Sequence, residues 1–323
     1  MYRPPNKSLW TGRFDGEHPL YFRFFQIVHC FSLEQMPSQN KDKETQFGIL
    51  GFECDEGVRR NQGRIGAKQA PDKIRKFLSH IPVPHSEFSL YDYGNIVCEN
   101  DRLESAQHEL GKVMNRLLNR NIFPIILGGG HETAYGHYLG VRSYLGNGPS
   151  IGIINIDAHF DLREGGEPSS GTMFRQIVET DPKVEYFVLG IQRFGNTEKL
   201  FQTAKQFHCD YLFEEEIEPL EKTFSKIQDF SNRHDYVFLT LCFDAIDSCY
   251  APGVSAPSPF GLHPKTVRKL LRMIARLPNV LSFDISEVNP ETDENDKTIR
   301  LASLLIAEFI RVRSVETAPS SVE

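Results

Sequence analysis

The stretch Asn155-Ile156-Asp157-Ala158-His159-Phe160-Asp161, following Ser150-Ile151-Gly152-Ile153-Ile154, decides how the chain is read. The run Ile151–Ile156 is short, apolar and rich in β-branched residues, the pattern of a buried strand. Two carboxylates and an imidazole then stand on alternate positions. Alternate side chains of an extended chain share a face, so Asp157, His159 and Asp161 converge if the extension persists past Ile156. Such a group, with two anions in it, repels itself unless a cation lies inside. The competing reading has Asp157 capping the next helix, with His159 and Asp161 in solvent. Other strand ends in the chain favour the cation.

Upstream, Ile122-Phe123-Pro124-Ile125-Ile126-Leu127 reads as a strand that ends in Gly128-Gly129-Gly130-His131-Glu132-Thr133. The glycines allow a sharp turn that brings His131 against the strand end. His131 lies one strand–helix unit before Asp157, so a βαβ crossover predicts neighbouring mouths. Downstream, Tyr236–Asp244 is a strand on which Cys242 and Asp244 alternate as Asp157 and His159 do. Asp247 and a Pro-rich loop, Ala251–Pro257, follow it. A last strand, Val280–Ser286, carries Glu287 at its mouth.

The first core strand is predicted over Phe47–Phe52. It opens into a loop, 55–66, with three arginines (Arg59, Arg60, Arg64) and three glycines, before a helix from Pro71 to Ser79. Proline suits the first helical turn, and a Gly-rich strand-to-helix loop suits an anion. Each arginine fits a solvated surface equally well. Further helices are expected within 101–119 and near 173–180, 197–207, 217–229, 264–277 and 297–312, with strands near 184–190 and 209–213. The alternation predicts a mainly parallel sheet with helices on both faces, a three-layer α/β/α fold. With no repeat or linker, one domain over 48–312 is the simplest division. Residues 1–47 then form an irregular extension and 313–323 a frayed tail.

Composition narrows the function. A formal charge of −7 argues against nucleic acid or an anionic membrane as partner. An anionic substrate would need particular arginines or lysines. The six cysteines show no paired spacing and read as reduced thiols of a cytoplasmic protein. The N-terminus has no apolar segment of the signal-peptide kind, and no apolar run reaches membrane length.

Gly-Gly-Gly-His-Glu at 128–132, Asp-Ala-His-Phe-Asp at 157–161 and the Asp244–Pro257 region, in that order, resemble the arginase/agmatinase/formimidoylglutamase (ureohydrolase) family. The match runs from about residue 48 to 312. Asp55–Arg64, Ser169–Thr172 and Tyr250–Pro257 are most similar to its formimidoylglutamase branch. Glu287-Val288-Asn289-Pro290 resembles the family's acidic substrate motif. The resemblance implies an arginase-like fold, a homo-oligomer and two Mn²⁺ ions at the sheet mouth. His131, Asp157 and Asp161 would hold one ion, and Asp157, His159 and Asp244 the other.

The family's Asp-x-Asp-x-x-Asp pattern falls on Cys242, Asp244 and Asp247. Cys242 thus stands where a second bridging aspartate is usual. Mn²⁺ prefers hard oxygen donors and a thiolate softer metals, which leaves three readings. Cys242 bridges as a thiolate, stands aside, or shifts the site towards zinc or iron.

The activity implied is attack of a metal-bound hydroxide on the formimidoyl carbon of N-formimidoyl-L-glutamate, releasing formamide and L-glutamate. Asp161 would orient the hydroxide and Glu287 would pair with the amidine. Arg163, with Arg59 and Arg64 behind it, is the candidate for the substrate's carboxylates. Ser170 stands where arginases have a proton-transferring histidine, so the donor to the leaving amine stays open. The alternatives are a guanidine substrate, such as agmatine, or a non-catalytic relative whose site has decayed at Cys242.

Overall fold

The computed structural model describes residues 1–37, 45–83 and 88–316. Ten strands form one sheet: β1 Tyr2–Arg3, β2 Val28–Cys30, β3 Thr45–Glu53, β4 Phe88–Val97, β5 Ile122–Leu127, β6 Ile151–Ile156, β7 Val184–Ile191, β8 Asp210–Phe213, β9 Tyr236–Cys242 and β10 Val280–Ser286. The order is β1-β4-β3-β5-β10-β9-β6-β7-β8, with β2 also on β4. Every pairing is parallel except β1 with β4. Among the described residues ten α-helices connect or flank them: α1 Phe24–Ile27, α2 Glu56–Arg60, α3 Ala70–Ser79, α4 Leu103–Leu118, α5 Thr133–Leu145, α6 Met173–Thr180, α7 Glu198–Gln206, α8 Leu220–Asn232, α9 Pro264–Ile274 and α10 Lys297–Glu316.

β5 and β6 are largely apolar without alternation because helices cover both faces. Ile154 and Ile156 of β6 pack with Ile74 of α3, Ile227 of α8, Val267 of α9 and Ile306 of α10. Ile151 and Ile153 face the other way, with Leu110 of α4, Ala134 of α5, Ile177 of α6 and Ala204 of α7. These are two cores on one sheet, the three-layer arrangement expected.

Two expectations need correction. β5 and β6 are not neighbours, because β10 and β9 lie between them. The crossover through α5 skips two places, which later chain fills. The register lines up Leu127, Ile285, Leu241 and Ile156 across these four strands, so four loops open side by side in the middle of the sheet. Such a C-terminal edge is where open α/β sheets bind ligands.

The N-terminal residues, expected to be irregular, add β1 and β2 to the sheet edge. Strands of two and three residues are too short to show periodicity. Their partner β4 was not foreseen either, since Asp92, Gly94 and Asn95 are poor strand residues. Tertiary partners hold them there. Buried Arg75 of α3 donates to both Asp92 carboxylate oxygens at 2.8 and 2.9 Å and to Asn95 Oδ1 at 2.7 Å. Trp10 Nε1 donates to Asp92 Oδ2 at 2.7 Å. Gly94 has φ 78°, and a Cβ there would meet Arg3 O at 2.2 Å, where β1 crosses. Removing one partner of a buried ion pair costs roughly 3–5 kcal/mol, enough to anchor this edge. At the other end α10 continues to Glu316, past the expected boundary at 312. Residues 38–44 of the proposed extension and 317–323 of the proposed tail lie outside the described residues.

Candidate metal centre

The loops after β5, β6, β9 and β10 bring His131, Asp157, His159, Asp161, Cys242, Asp244 and Glu287 to one cleft. Donor atoms of His131, Asp157 and Cys242 lie within 4.8 Å of one another, and so do those of Asp157, His159 and Asp244. Asp157 belongs to both groups. Asp161 Oδ2 approaches His131 Nδ1 at 3.1 Å, as Asp157 Oδ2 does at 3.0 Å. His159 Nδ1 meets Asp244 Oδ2 at 3.1 Å.

The residues were legible, but the reason they converge is different. The extension stops at Ile156. His159 N–H donates to Asp157 Oδ1 at 2.8 Å, an Asx-type turn. Asp161 has φ 51°, a left-handed conformation uncommon outside glycine. Likewise β9 ends at Cys242 and a 3₁₀ turn carries Asp244, whose Oδ1 accepts the Cys242 thiol hydrogen at 3.0 Å. Turns, not alternation, aim these side chains inward. The group around His131 brings in Cys242 with Asp157, and Asp161 Oδ2 lies beside it.

His131 crosses to the centre because its loop folds over the end of β10. Gly128 N donates to Ile285 O at 2.7 Å and Glu287 N to Gly129 O at 2.8 Å. A Cβ on Gly129 would stand 1.7 Å from Cys54 O, so only glycine permits the approach. Asn196 pins the Asp157–Asp161 loop: its Oδ1 accepts from Phe160 N at 3.0 Å and its Nδ2 donates to Ala158 O at 2.9 Å.

Electrostatics ask for cations. Asp157, Asp161, Asp244 and Glu287 face two imidazoles. Burial pushes Asp161 up to about 6, aided by the charge on Asp157. Burial also raises Glu287, to about 8, with Asp244 and Glu132 adding to it. Glu287 Oε1 accepts from His131 N at 2.9 Å, while its buried Oε2 has no partner among the described residues. Burial works against ionised Asp157, but hydrogen bonds from His131 and His159 outweigh it and hold the carboxyl below its usual range. Burial, then Asp157 and Asp244, pushes the Cys242 thiol well up. Two donor groups sharing a carboxylate, with an orphaned carboxylate oxygen beside them, fit a pair of divalent ions.

A model of the arginase family matches residues 45–311. The chain belongs to the arginase family. The formimidoylglutamase of Geobacillus sp. (strain WCH70) is 52% identical over 317 residues, covering 96% of each chain. That of Clostridium tetani (strain Massachusetts / E88) is 41% identical over 322 residues, 96% of this chain and 95% of its own. The crystal structure of Trypanosoma cruzi formiminoglutamase with two Mn²⁺ ions superposes with a TM-score of 0.76 at 27% identity, over 85% of this chain and 95% of that one.

The arginines of this family member separate. Arg163 is exposed, lines the cleft, and its guanidinium has no partner among the described residues. Arg59 pairs with Glu56 at 2.5 Å. Arg64 donates to Ser255 O at 2.8 Å and Val254 O at 2.6 Å, tying two loops together. Asn61, Ser170, Asn196 and Ser255 also line the cleft. Asn61 Nδ2 donates to Ser170 Oγ at 3.2 Å. Sequence reading passed over Asn61, Asn196 and Ser255, since a polar residue in a long loop carries no periodic signal. It also passed over Thr240, although Thr240 shares a strand face with Cys242.

Proposed function

We propose that the protein is a dimetal hydrolase cleaving N-formimidoyl-L-glutamate to L-glutamate and formamide, with Mn²⁺ as the expected metal. Asp157 shared between two three-residue donor groups, in a cleft reached by the unpaired Arg163, carries the reading. The names of the relatives, at 52% and 41% identity over nearly the whole chain, point the same way. His131, Asp157 and Cys242, with Asp161 beside them, would hold one ion. Asp157, His159 and Asp244 would hold the other. Two such ions, when bound, acidify a water and stabilise negative charge developing on the substrate.

The chain's own groups do the rest. Glu287 Oε2 is free to accept N–H bonds from a planar amidinium, and a cation beside it favours the ionised carboxylate. Such charge-assisted bonds fix both distance and orientation of the carbon under attack. Asp161 would accept a hydrogen bond from the attacking water. Arg163 at the rim supplies the positive charge that the substrate's carboxylates need in an acidic protein. Arg59 and Arg64 have protein partners and stand behind it.

A guanidine substrate fits less well, because an amine-bearing tail would meet Arg163. No helix among the described residues is long and apolar enough to cross a membrane. We expect a cytoplasmic homo-oligomer, which fractionation and light scattering would check. The deciding experiment supplies Mn²⁺-loaded protein with N-formimidoyl-L-glutamate and scores formamide and glutamate. Release of both is expected. Metal bound with no release, together with urea released from a guanidine, would replace this substrate.

A further inference from the structure

Below the metal centre runs a buried polar chain that the mechanism does not use. His131 Nε2 faces Thr240 Oγ1 at 3.0 Å. Thr240 Oγ1 donates to Asp284 Oδ1 at 2.9 Å, and Ser286 Oγ donates to the same oxygen at 3.0 Å. His137 Nδ1 meets Asp284 Oδ2 at 2.6 Å, and its Nε2 meets Ser282 Oγ at 2.6 Å. All six residues are buried, with His137, Thr240, Ser282, Asp284 and Ser286 fully enclosed. They lie on β9, β10 and α5, beneath His131. A carboxylate in the dry centre of a sheet costs several kcal/mol unless it is well paired, so its presence calls for a purpose.

Counting protons supplies one. An ionised carboxylate only accepts, and a threonine hydroxyl has one proton. Asp284 takes that proton, so Thr240 Oγ1 offers only lone pairs to His131. The ring must then carry its proton on Nε2. Once an ion replaces the proton that Nδ1 shares with Asp157 Oδ2 and Asp161 Oδ2, that nitrogen would present its lone pair to the point between them. We infer that Thr240 and Asp284 are positioning residues that lock His131 in the metal-binding tautomer. The inference rests on the dimetal reading above. It gives the His131 group a rigid backing that the His159 group lacks, since no hydrogen bond to His159 Nε2 is formed among the described residues.

Reversing the polarity of the relay tests it. In Asp284→Asn the amide can donate to Thr240, whose proton then turns to His131 and forces the wrong tautomer. Thr240→Val keeps the shape and removes the acceptor, and Thr240→Ser keeps the hydroxyl. Mn²⁺ binding is measured by calorimetry and by electron paramagnetic resonance on folded protein, judged by near-ultraviolet circular dichroism. Wild type should bind two ions with a spin-coupled spectrum.

Asp284→Asn and Thr240→Val should lose about 10- to 100-fold in affinity for one ion and show an uncoupled single-ion spectrum. Thr240→Ser should recover both. If Thr240→Val does not fold, Asp284→Asn decides by the same readout. Two ions bound at wild-type affinity in either variant overturns the relay, as does equal weakening of both ions. Wild type that binds no ion overturns the dimetal reading, and the relay with it.

Discussion

The two halves of the metal centre share Asp157 but are built differently. The inner half, His131, Asp157 and Cys242, is buried throughout and contains nitrogen, oxygen and sulfur donors. The outer half, Asp157, His159 and Asp244, has only nitrogen and oxygen, and the His159 side chain is 27% exposed. Below the inner half lies the chain through Thr240 to Asp284. The cleft that Arg163 lines reaches both halves, with His131 and Cys242 on its wall as well as His159 and Asp244. Preorganised donors bind without the cost of being ordered at the moment of binding. The contrast therefore predicts a tightly held inner ion and an exchangeable outer one next to the substrate.

The largest effect should come from the residue that joins the halves. Asp157→Asn should release both ions and lower kcat/KM by on the order of 10³-fold, the equivalent of ~4 kcal/mol. Calorimetry would check it. Retention of one ion at native affinity would mean that the halves are independent and Asp157 is not a true bridge.

Stripping metal probes the same contrast by stability. A ligand held at 1,000 times its Kd adds about 4 kcal/mol to folding, and each kcal/mol is worth roughly 2 °C in a chain of this size. Titration with a chelator should remove the outer ion first with a small fall in Tm. The inner ion should follow with a fall of about 8 °C. A single step, with both ions leaving together, would contradict the asymmetry.

Cys242 distinguishes the halves chemically. With Co²⁺ loaded, a thiolate ligand gives near-ultraviolet charge-transfer absorption, and Cys242→Ser should abolish it while leaving the visible bands. Cys242→Asp supplies a hard donor instead and should shift preference towards Mn²⁺ by on the order of 10-fold, ~1.4 kcal/mol. Wild-type Co²⁺ protein without that absorption would leave Cys242 a small buried hydrophobe.

Much of this was open to sequence reading, and the misses have physical causes. β5 and β6 announce themselves as short, largely apolar runs because both faces are covered. β4 did not, since Asp92 and Asn95 become strand residues only once Arg75 and Trp10 neutralise and bond them. The centre's residues were found through alternation, although Asx and 3₁₀ turns do the aiming. Which mouths adjoin could not be seen from order alone, because β9 and β10 insert between β5 and β6 from far down the chain. Thr240 and Asp284 were hidden most fully. Within strands they look like tolerated polar residues, and only the proton count across three elements gives them a role.

The smallest expected effect lies at the cleft's rim. Arg163 is exposed, so water screens its attraction for a carboxylate, and an exposed pair is worth about 1 kcal/mol at most. Arg163→Met should therefore raise KM for N-formimidoyl-L-glutamate about 5-fold and leave kcat and both metal affinities unchanged. Raising ionic strength should reproduce part of that loss in wild type and little in the variant. Arg59→Met should leave KM alone, because its guanidinium is occupied by Glu56. Arg64→Met should act on stability instead, by freeing the loop held at Val254 and Ser255. If Arg163→Met changes metal affinity as well as KM, the rim and the centre are coupled, and the division between a rigid inner half and an open outer one is too simple.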